Sequence, residues 1–231
     1  MNDEKNNFWR SAIVPALLLL VMWVVKHIEY NWDVDFTKLG VYPLSAAGLI
    51  GIITAPFEHE NFEHLISNSL PFFLLCLALF YFYKGIAGKI LLLIWLTDGI
   101  CIWLFGRQAY HIGASGIVYG LTSFLFFSGI LRRDSRLAAI AMLIVFIYGG
   151  LIWGVFPDFF PGKHLSYEAH LYGLLAGVLY ALCYRKQGPQ RLRYSWELEK
   201  EIPDEEEGEN IEHSDVYWNE PNNFDDFIFK Y

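Results

Sequence analysis

Three short stretches of this sequence place side chains capable of nucleophilic and acid–base chemistry inside apolar surroundings. In HENFEHLISN, His59, His64 and Asn68 stand where a loop enters an apolar run, and the spacing of four puts His64 and Asn68 on one helix face. In HIGASGIVYG, Gly113, Ser115 and Gly116 make a small-residue turn into another apolar run, with Tyr119 one helical turn beyond the serine. In EAHLYGLLAGVL, His170 is followed by Gly173 and Gly177 at offsets of three and seven. All three therefore share a face, and a GxxxG face lets another helix approach closely. Polar side chains at hydrocarbon depth are costly, so such positions are functional candidates by default.

Together these residues amount to a minimal acyl-transfer site. A serine hydroxyl is a weak nucleophile until a base within hydrogen-bond reach takes its proton, which pairs Ser115 with His170. The developing oxyanion needs preorganised donors, commonly a backbone N–H plus Asn or His side chains, which His64, Asn68 and the Ser115 N–H could supply. Gly113 and Gly116 leave room for the substrate backbone beside the reacting carbonyl.

Other polar residues read as structural. Asp98, a carboxylate inside an apolar run, is expected to brace helix packing near the inner half rather than serve as a third triad member. Glu168 lies two residues before His170 and so points to another helix face. His27, His111, His164 and His213 have no ligand-like spacing, and surface or loop placement is expected for them. Glu60 and Glu63 flank His64 at the rim. Cys76, Cys101 and Cys183 sit singly in apolar runs with no CxxC, so neither a disulfide framework nor a zinc site is signalled. The sequence has no HExxH and no pair of aspartates inside apolar runs, and no cofactor or metal is expected.

These residues must be held by membrane-length elements. A helix needs roughly 20 mostly apolar residues to cross a bilayer, and six such runs occur, near 11–27, 64–83, 89–105, 115–131, 137–156 and 168–184. The first is long and lacks a small-residue cleavage pattern, so it reads as an anchor rather than a signal peptide. With the N-terminus inside, eleven Lys and Arg fall on the inner side and four (Lys26, Lys38, Arg107 and Lys163) on the outer side. That bias places both termini in the cytoplasm. The outer loop 30–58 mixes aromatics with Asp33, Asp35 and Lys38, as suits an element lying in the interface.

Charged residues make up only 18% of the chain, against about 25% in an ordinary soluble domain, and mean hydropathy is +0.30. The formal charge of −8 is concentrated at one end, since residues 197–231 hold 13 of the 25 acidic residues and only Lys200 and Lys230 as bases. The body that remains is weakly basic and apolar, which argues against disorder and against nucleic-acid binding. The expected organisation is a cytoplasmic N-terminus at 1–10, a membrane domain at 11–186 and an acidic, disordered cytoplasmic tail at 187–231.

The order and spacing of these motifs closely resemble the rhomboid intramembrane serine proteases. The resemblance rests on HxxxxHxxxN (His59, His64, Asn68), the GASG box (Gly113 to Gly116) and AHxxGxxxG (Ala169 to Gly177), and spans roughly residues 40–184. It implies an all-α integral membrane protein, a six-helix bundle in which Ser115 is nucleophile and His170 general base. His64, Asn68 and the Ser115 N–H would form the oxyanion hole, and the Tyr119 ring would pack on His170. His59 would support the oxyanion site from the outward side. Also matching are the YP of VYPLSAAGLIGIITAPF, WLFGR at Trp103 to Arg107, and Pro71. The Trp-Arg pair of some members is missing from the first outer loop, Leu44 follows YP where many relatives carry a basic residue, and Tyr167 stands where Trp often precedes Glu-Ala-His. The implied partners are the lipid bilayer and transmembrane protein substrates, and the implied location is a bacterial inner membrane. A non-catalytic membrane chaperone or adaptor on the same fold is the alternative, against which the retention of Ser115 and His170 counts.

Overall fold

The computed structural model describes residues 2–147 and 166–188, which are helical with short irregular connections. Helix α1 (Asn2–Trp32) is longer than the apolar run at 11–27 and contains Pro15. The first loop carries 3-10 turns at Thr37–Leu39, Ala47–Leu49 and Ala55–Phe57 around a single turn, α2 (Gly51–Thr54). Helix α3 (Phe62–Phe82) starts at Asn61, whose side chain accepts the His64 N–H. This is the N-cap arrangement that satisfies an otherwise orphaned donor. Then come α4 (Ala87–Phe105), α5 (Ser115–Arg132), α6 (Ser135–Ile147) and α7 (Tyr167–Cys183).

Among the described residues, four helices are long and apolar enough to cross a membrane: Glu4–Trp32, Phe62–Phe82, Ala87–Phe105 and Ser115–Arg132. Helix α7 has 17 residues and α6 has 13; the rest of the fifth expected run, to Phe156, lies outside the described residues, as does the tail beyond 188.

Helix α5 is the centre of the bundle. Leu121, Phe124 and Leu125 on it are fully buried together with Leu75 and Leu79 of α3 and Ile90 and Ile94 of α4. Toward α7 the filling disappears, because glycines face each other. A Cβ on Gly173 would lie 2.0 Å from the Gly116 carbonyl oxygen, and one on Gly177 would lie 2.1 Å from the Gly120 oxygen and 2.0 Å from Ser123 Oγ. Two GxxxG faces, Gly116/Gly120 and Gly173/Gly177, thus bring the backbones of α5 and α7 into direct contact. Ser123 Oγ adds a bond to the Leu174 carbonyl at 2.9 Å. At the periphery, Ile13, Leu17, Leu20 and Val24 of α1 remain exposed, at no cost where the surroundings are hydrocarbon.

Buried polar groups gather at the two ends of the bundle. At one end, Arg132 (7% exposed) donates to Ser128 Oγ at 3.0 Å and to the carbonyls of Tyr184 (2.6 Å) and Gln187. Tyr83 Oη donates to the same Ser128 at 2.6 Å, so the last turns of α3, α5 and α7 are joined.

At the other end, Lys26 of α1 uses all three ammonium protons. It donates to Glu29 Oε2 at 2.7 Å and to the carbonyls of His59 and Glu60 at 2.7 and 3.1 Å. The second Glu29 oxygen accepts the Phe36 N–H at 3.0 Å. Glu58, only 3% exposed, sets its carboxyl against Glu29. Burial, and then the contact with the Glu29 carboxylate, push the Glu58 carboxyl up to about 8. Protonated Glu58 therefore donates to Glu29, and the cluster clamps α1 to the turn that opens α3.

Two predictions follow from this packing. Gly177→Ala forces its Cβ into backbone and should destabilise the bundle by about 1–3 kcal/mol. Gly85→Ala, with nothing within 4 Å of the added Cβ, should be near neutral, and thermal unfolding in detergent compares the two. The folded state holds the Glu58 proton to about 8 whereas an unfolded chain releases it near 4.5. Stability should therefore fall as pH rises through that interval and level off above it. Thermal unfolding from about pH 5 to about pH 9 should show this loss up to about pH 8 in the wild type and a flatter profile in Glu58→Gln.

Candidate active site

Ser115 is the first residue of α5, reached through Gly113 at φ +103 and Ala114 at φ −81, ψ 0. The positive φ is a glycine conformation, and it turns the chain so that Ser115 opens the helix. As an N1 residue, Ser115 has a backbone N–H without an acceptor inside the helix. His170 sits in the first turn of α7, 5% exposed, and its Nε2 lies 2.9 Å from Ser115 Oγ. The close approach of α5 and α7 at Gly116 and Gly173 makes this distance available. Tyr119, one turn beyond the serine, stacks on the His170 ring with centroids 4.2 Å apart and planes at 14°. That contact confines the imidazole plane.

His64 closes the site from α3. Its Cε1 lies 2.9 Å from the place a Gly113 Cβ would occupy, so the ring rests on the loop that delivers Ser115. His59 is fully buried and edge-on to His64, with centroids 5.1 Å apart. Burial, followed by the neighbouring His64, pushes the His59 imidazole down to about 3, so His59 is a neutral support. Asn68 is buried one turn farther along α3, where its Nδ2 donates to the His64 carbonyl at 2.9 Å. His64, Ser67, Ser115, Ser166 and His170 line a cavity of about 1070 Å³ together with Lys26, Glu29 and Glu58 and with Glu60 and Glu63, both exposed on its rim. The sequence-derived residues are thus brought together around Ser115, with Asn68 set back from the cavity wall.

Some expectations change. Asp98 is buried as a packing residue, in the half of α4 toward Phe105. Its Oδ2 is 2.0 Å from where a Gly116 Cβ would stand, so it fills the space beneath the turn that carries Ser115. Gly116 is therefore required by Asp98, and its backbone is what a Cβ on Gly173 would strike. Glu168 faces away from the His170 ring as expected, accepting the Arg107 N–H at 3.4 Å and pairing with its guanidinium at 3.6 Å. His27 contacts Trp23 and Phe62, while His164 and His213 lie outside the described residues. Cys76 is buried, Cys101 half-buried and Cys183 exposed, all as free thiols.

His111 is in a loop but not at the surface. It is 3% exposed, exchanges two backbone bonds of 2.9 Å with Val41, and contacts Ser166 Oγ at 2.6 Å and the Arg107 carbonyl at 3.0 Å through its ring. Burial lowers its affinity for a proton. Sequence reasoning also passed over Lys26, Glu58 and Gly120. Only Gly120 carried a signal, its spacing of four from Gly116 repeating that of Gly173 and Gly177.

Residues 46–187 match the Rhomboid domain. An uncharacterized protein of Mycobacterium tuberculosis is 33% identical over 184 residues, covering 76% of this chain and 73% of its own length. A Bacillus subtilis protein provisionally named a rhomboid protease is 30% identical over 144 residues, 59% of this chain and 68% of that one. An Acanthamoeba polyphaga mimivirus protein provisionally named a rhomboid protein is 25% identical over 146 residues, 59% of this chain and 75% of that one. With more than half of its length matched to that domain and apolar helices of spanning length around the Ser115–His170 pair, this chain is an integral membrane protein that belongs to the rhomboid family.

Proposed function

We propose that the protein is an intramembrane serine endopeptidase that hydrolyses peptide bonds of transmembrane proteins through a Ser115–His170 dyad. The observation that carries this reading is the 2.9 Å contact between Ser115 Oγ and His170 Nε2, supported by family membership. His170 Nε2 accepts the hydroxyl proton as Ser115 Oγ attacks the scissile carbonyl. The oxyanion that forms is received by the Ser115 N–H at the α5 N-terminus, by His64 and by the Asn68 amide proton not bound to the His64 carbonyl. His170 then returns the proton to the departing amine as the C–N bond breaks. A water, deprotonated by the same imidazole, releases the acyl group. Tyr119 holds the ring plane, and His59 backs His64.

The bundle is read as six spanning helices with both termini cytoplasmic and the cavity opening outward, in a bacterial plasma membrane, an assignment supported by the charge bias and the bacterial relatives. Water then reaches the dyad from the outer side. A helical substrate hides its carbonyls in its own hydrogen bonds, so cleavage favours helix-breaking residues near the scissile bond. The acidic segment 187–231 stands apart from this chemistry.

Fluorophosphonate labelling of the purified protein, run beside cleavage of a transmembrane substrate, tests the assignment. Ser115→Ala and His170→Ala should each abolish both signals. His64→Ala should slow cleavage by about 10²–10³-fold. A chain truncated after Arg193 should cleave like the full-length protein. Folded wild-type protein that neither labels nor cleaves would sink the protease reading in favour of a non-catalytic protein that binds transmembrane clients.

A further inference from the structure

The hydrogen-bonded pair at the site has a counterpart. Four residues before Ser115 stands His111, and four residues before His170 stands Ser166, in the segments HIGAS and SYEAH. These two also meet, His111 Nδ1 to Ser166 Oγ, at 2.6 Å. Serine and histidine are exchanged between the two pairs, so the loop that delivers Ser115 and the helix that carries His170 are tied twice.

The protons of this second pair can be assigned. The Arg107 carbonyl, 3.0 Å from His111 Nε2, can only accept, so Nε2 carries a hydrogen. In a neutral ring Nδ1 is then the acceptor, and the Ser166 hydroxyl must donate to it. That same Oγ accepts the Ala169 N–H at 3.4 Å as the N-cap of α7. One directional chain results, from Ala169 N–H through the Ser166 hydroxyl and the His111 ring to the Arg107 carbonyl, with no donor opposing another.

The two ends of the chain differ in how firmly they are held. His111 is fixed by its two backbone bonds to Val41, and Gly113 by its N–H to the Ala55 carbonyl at 2.9 Å. On α7 the first helical bond to His170 runs from its N–H to the Ser166 carbonyl at 3.3 Å. The rotation of the first turn of α7 is thereby set by where Ser166 is held.

We propose that His111 is a positioning residue for the Ser115–His170 pair: through Ser166 it fixes the first turn of α7 and so the distance between Nε2 and Oγ. The inference rests on the dyad reading above. It also gives the site an acid sensitivity separate from that of His170. A second proton on His111 would sit on Nδ1, facing a hydroxyl that already points its own hydrogen there. Ser166 would have to turn, and the tie would open. Glu168 of α7 and Arg107, paired with each other, are the charged groups that face the ring, and Asp98 of α4 lines the same small cavity. Burial works against that second proton, so it arrives only as pH falls below the ordinary histidine range.

The test uses the full-length protein in proteoliposomes with a transmembrane substrate. His111→Phe, which keeps the bulk and loses both ring nitrogens, should lower kcat by on the order of 10- to 100-fold, as expected of a displaced catalytic group, with KM little changed and the Ser115 labelling rate falling in parallel. Ser166→Ala, which leaves the buried imidazole in place, should fall the same way. The double variant should be no worse than the more damaged single one, because both act through one bond. His111→Asn, whose amide oxygen can take the place of Nδ1, should recover much of kcat and reduce the acid limb of the pH profile from two protons to one. A wild type that cleaves with Ser115 dependence while His111→Phe or Ser166→Ala keeps kcat within about twofold would overturn this inference alone. Additive losses in the double variant, or an acid limb unchanged in His111→Asn, would overturn it too. A wild type that is inert overturns the protease reading and this inference with it.

Discussion

The contact on which the rest depends is that between the backbones of α5 and α7. A serine at one helix start and a histidine in the first turn of another can share a proton only if the helices come closer than side-chain layers normally permit. Gly116 and Gly120 on α5 and Gly173 and Gly177 on α7 remove those layers, with the Gly116 oxygen 2.0 Å from where a Gly173 Cβ would be. In hydrocarbon there is little hydrophobic drive for helices to associate, and close packing supplies it instead. The same glycines therefore provide the association and the geometry. Asp98 adds a further demand at Gly116, so that one position answers to the serine turn, the α7 backbone and a buried carboxyl.

Around this contact, several buried polar groups among the described residues are paired or kept neutral. Lys26 meets Glu29 and two carbonyls, and Glu58 keeps its proton beside Glu29. His59 stays uncharged beneath His64. A full charge left unpaired in this setting would cost several kcal/mol. The result is a firmly held end of the bundle on which a small set of groups at the cavity wall, His64, Ser115 and His170, remains available to a ligand.

Much of this is legible in the sequence because it is written locally. Helical offsets of three, four and seven fix which residues share a face, so spacing alone groups His64 with Asn68, Ser115 with Tyr119, and His170 with Gly173 and Gly177. What spacing misses is set by partners distant in sequence. His111 looks like a loop histidine until Val41 and Ser166, 70 and 55 residues away, are seen to enclose it. Glu58, at the end of the first loop, draws no notice in the sequence until Glu29 of α1 is found against it. Asp98 is recognisable as a packing residue, but its height in the bundle depends on which turn of α4 meets Gly116, and periodicity does not say that. The first helix is longer than its apolar run because polar residues at each end, Asn2 to Arg10 and Ile28 to Trp32, continue the helix beyond hydrocarbon-like sequence.

The Ser115–His170 pair raises the question of what orients the imidazole. In a triad the carboxylate holds the Nδ1–H and favours the tautomer with a free Nε2. Among the described residues, Asp98 lies beneath Gly116 and Glu168 is turned toward Arg107. Stacking supplies part of the restraint, since Tyr119 at 14° to the His170 plane leaves the ring little rotation out of that plane. Stacking does not fix where along the ring face the tyrosine sits, however, and sliding would alter the distance to Ser115. That remaining freedom belongs to the position of α7 itself. It is removed by backbone contact at the glycines on one side and by the N-cap at Ser166 on the other. An unpaired carboxylate in a site of low dielectric would hold its proton and orient nothing, whereas ring stacking restrains the imidazole whatever the dielectric.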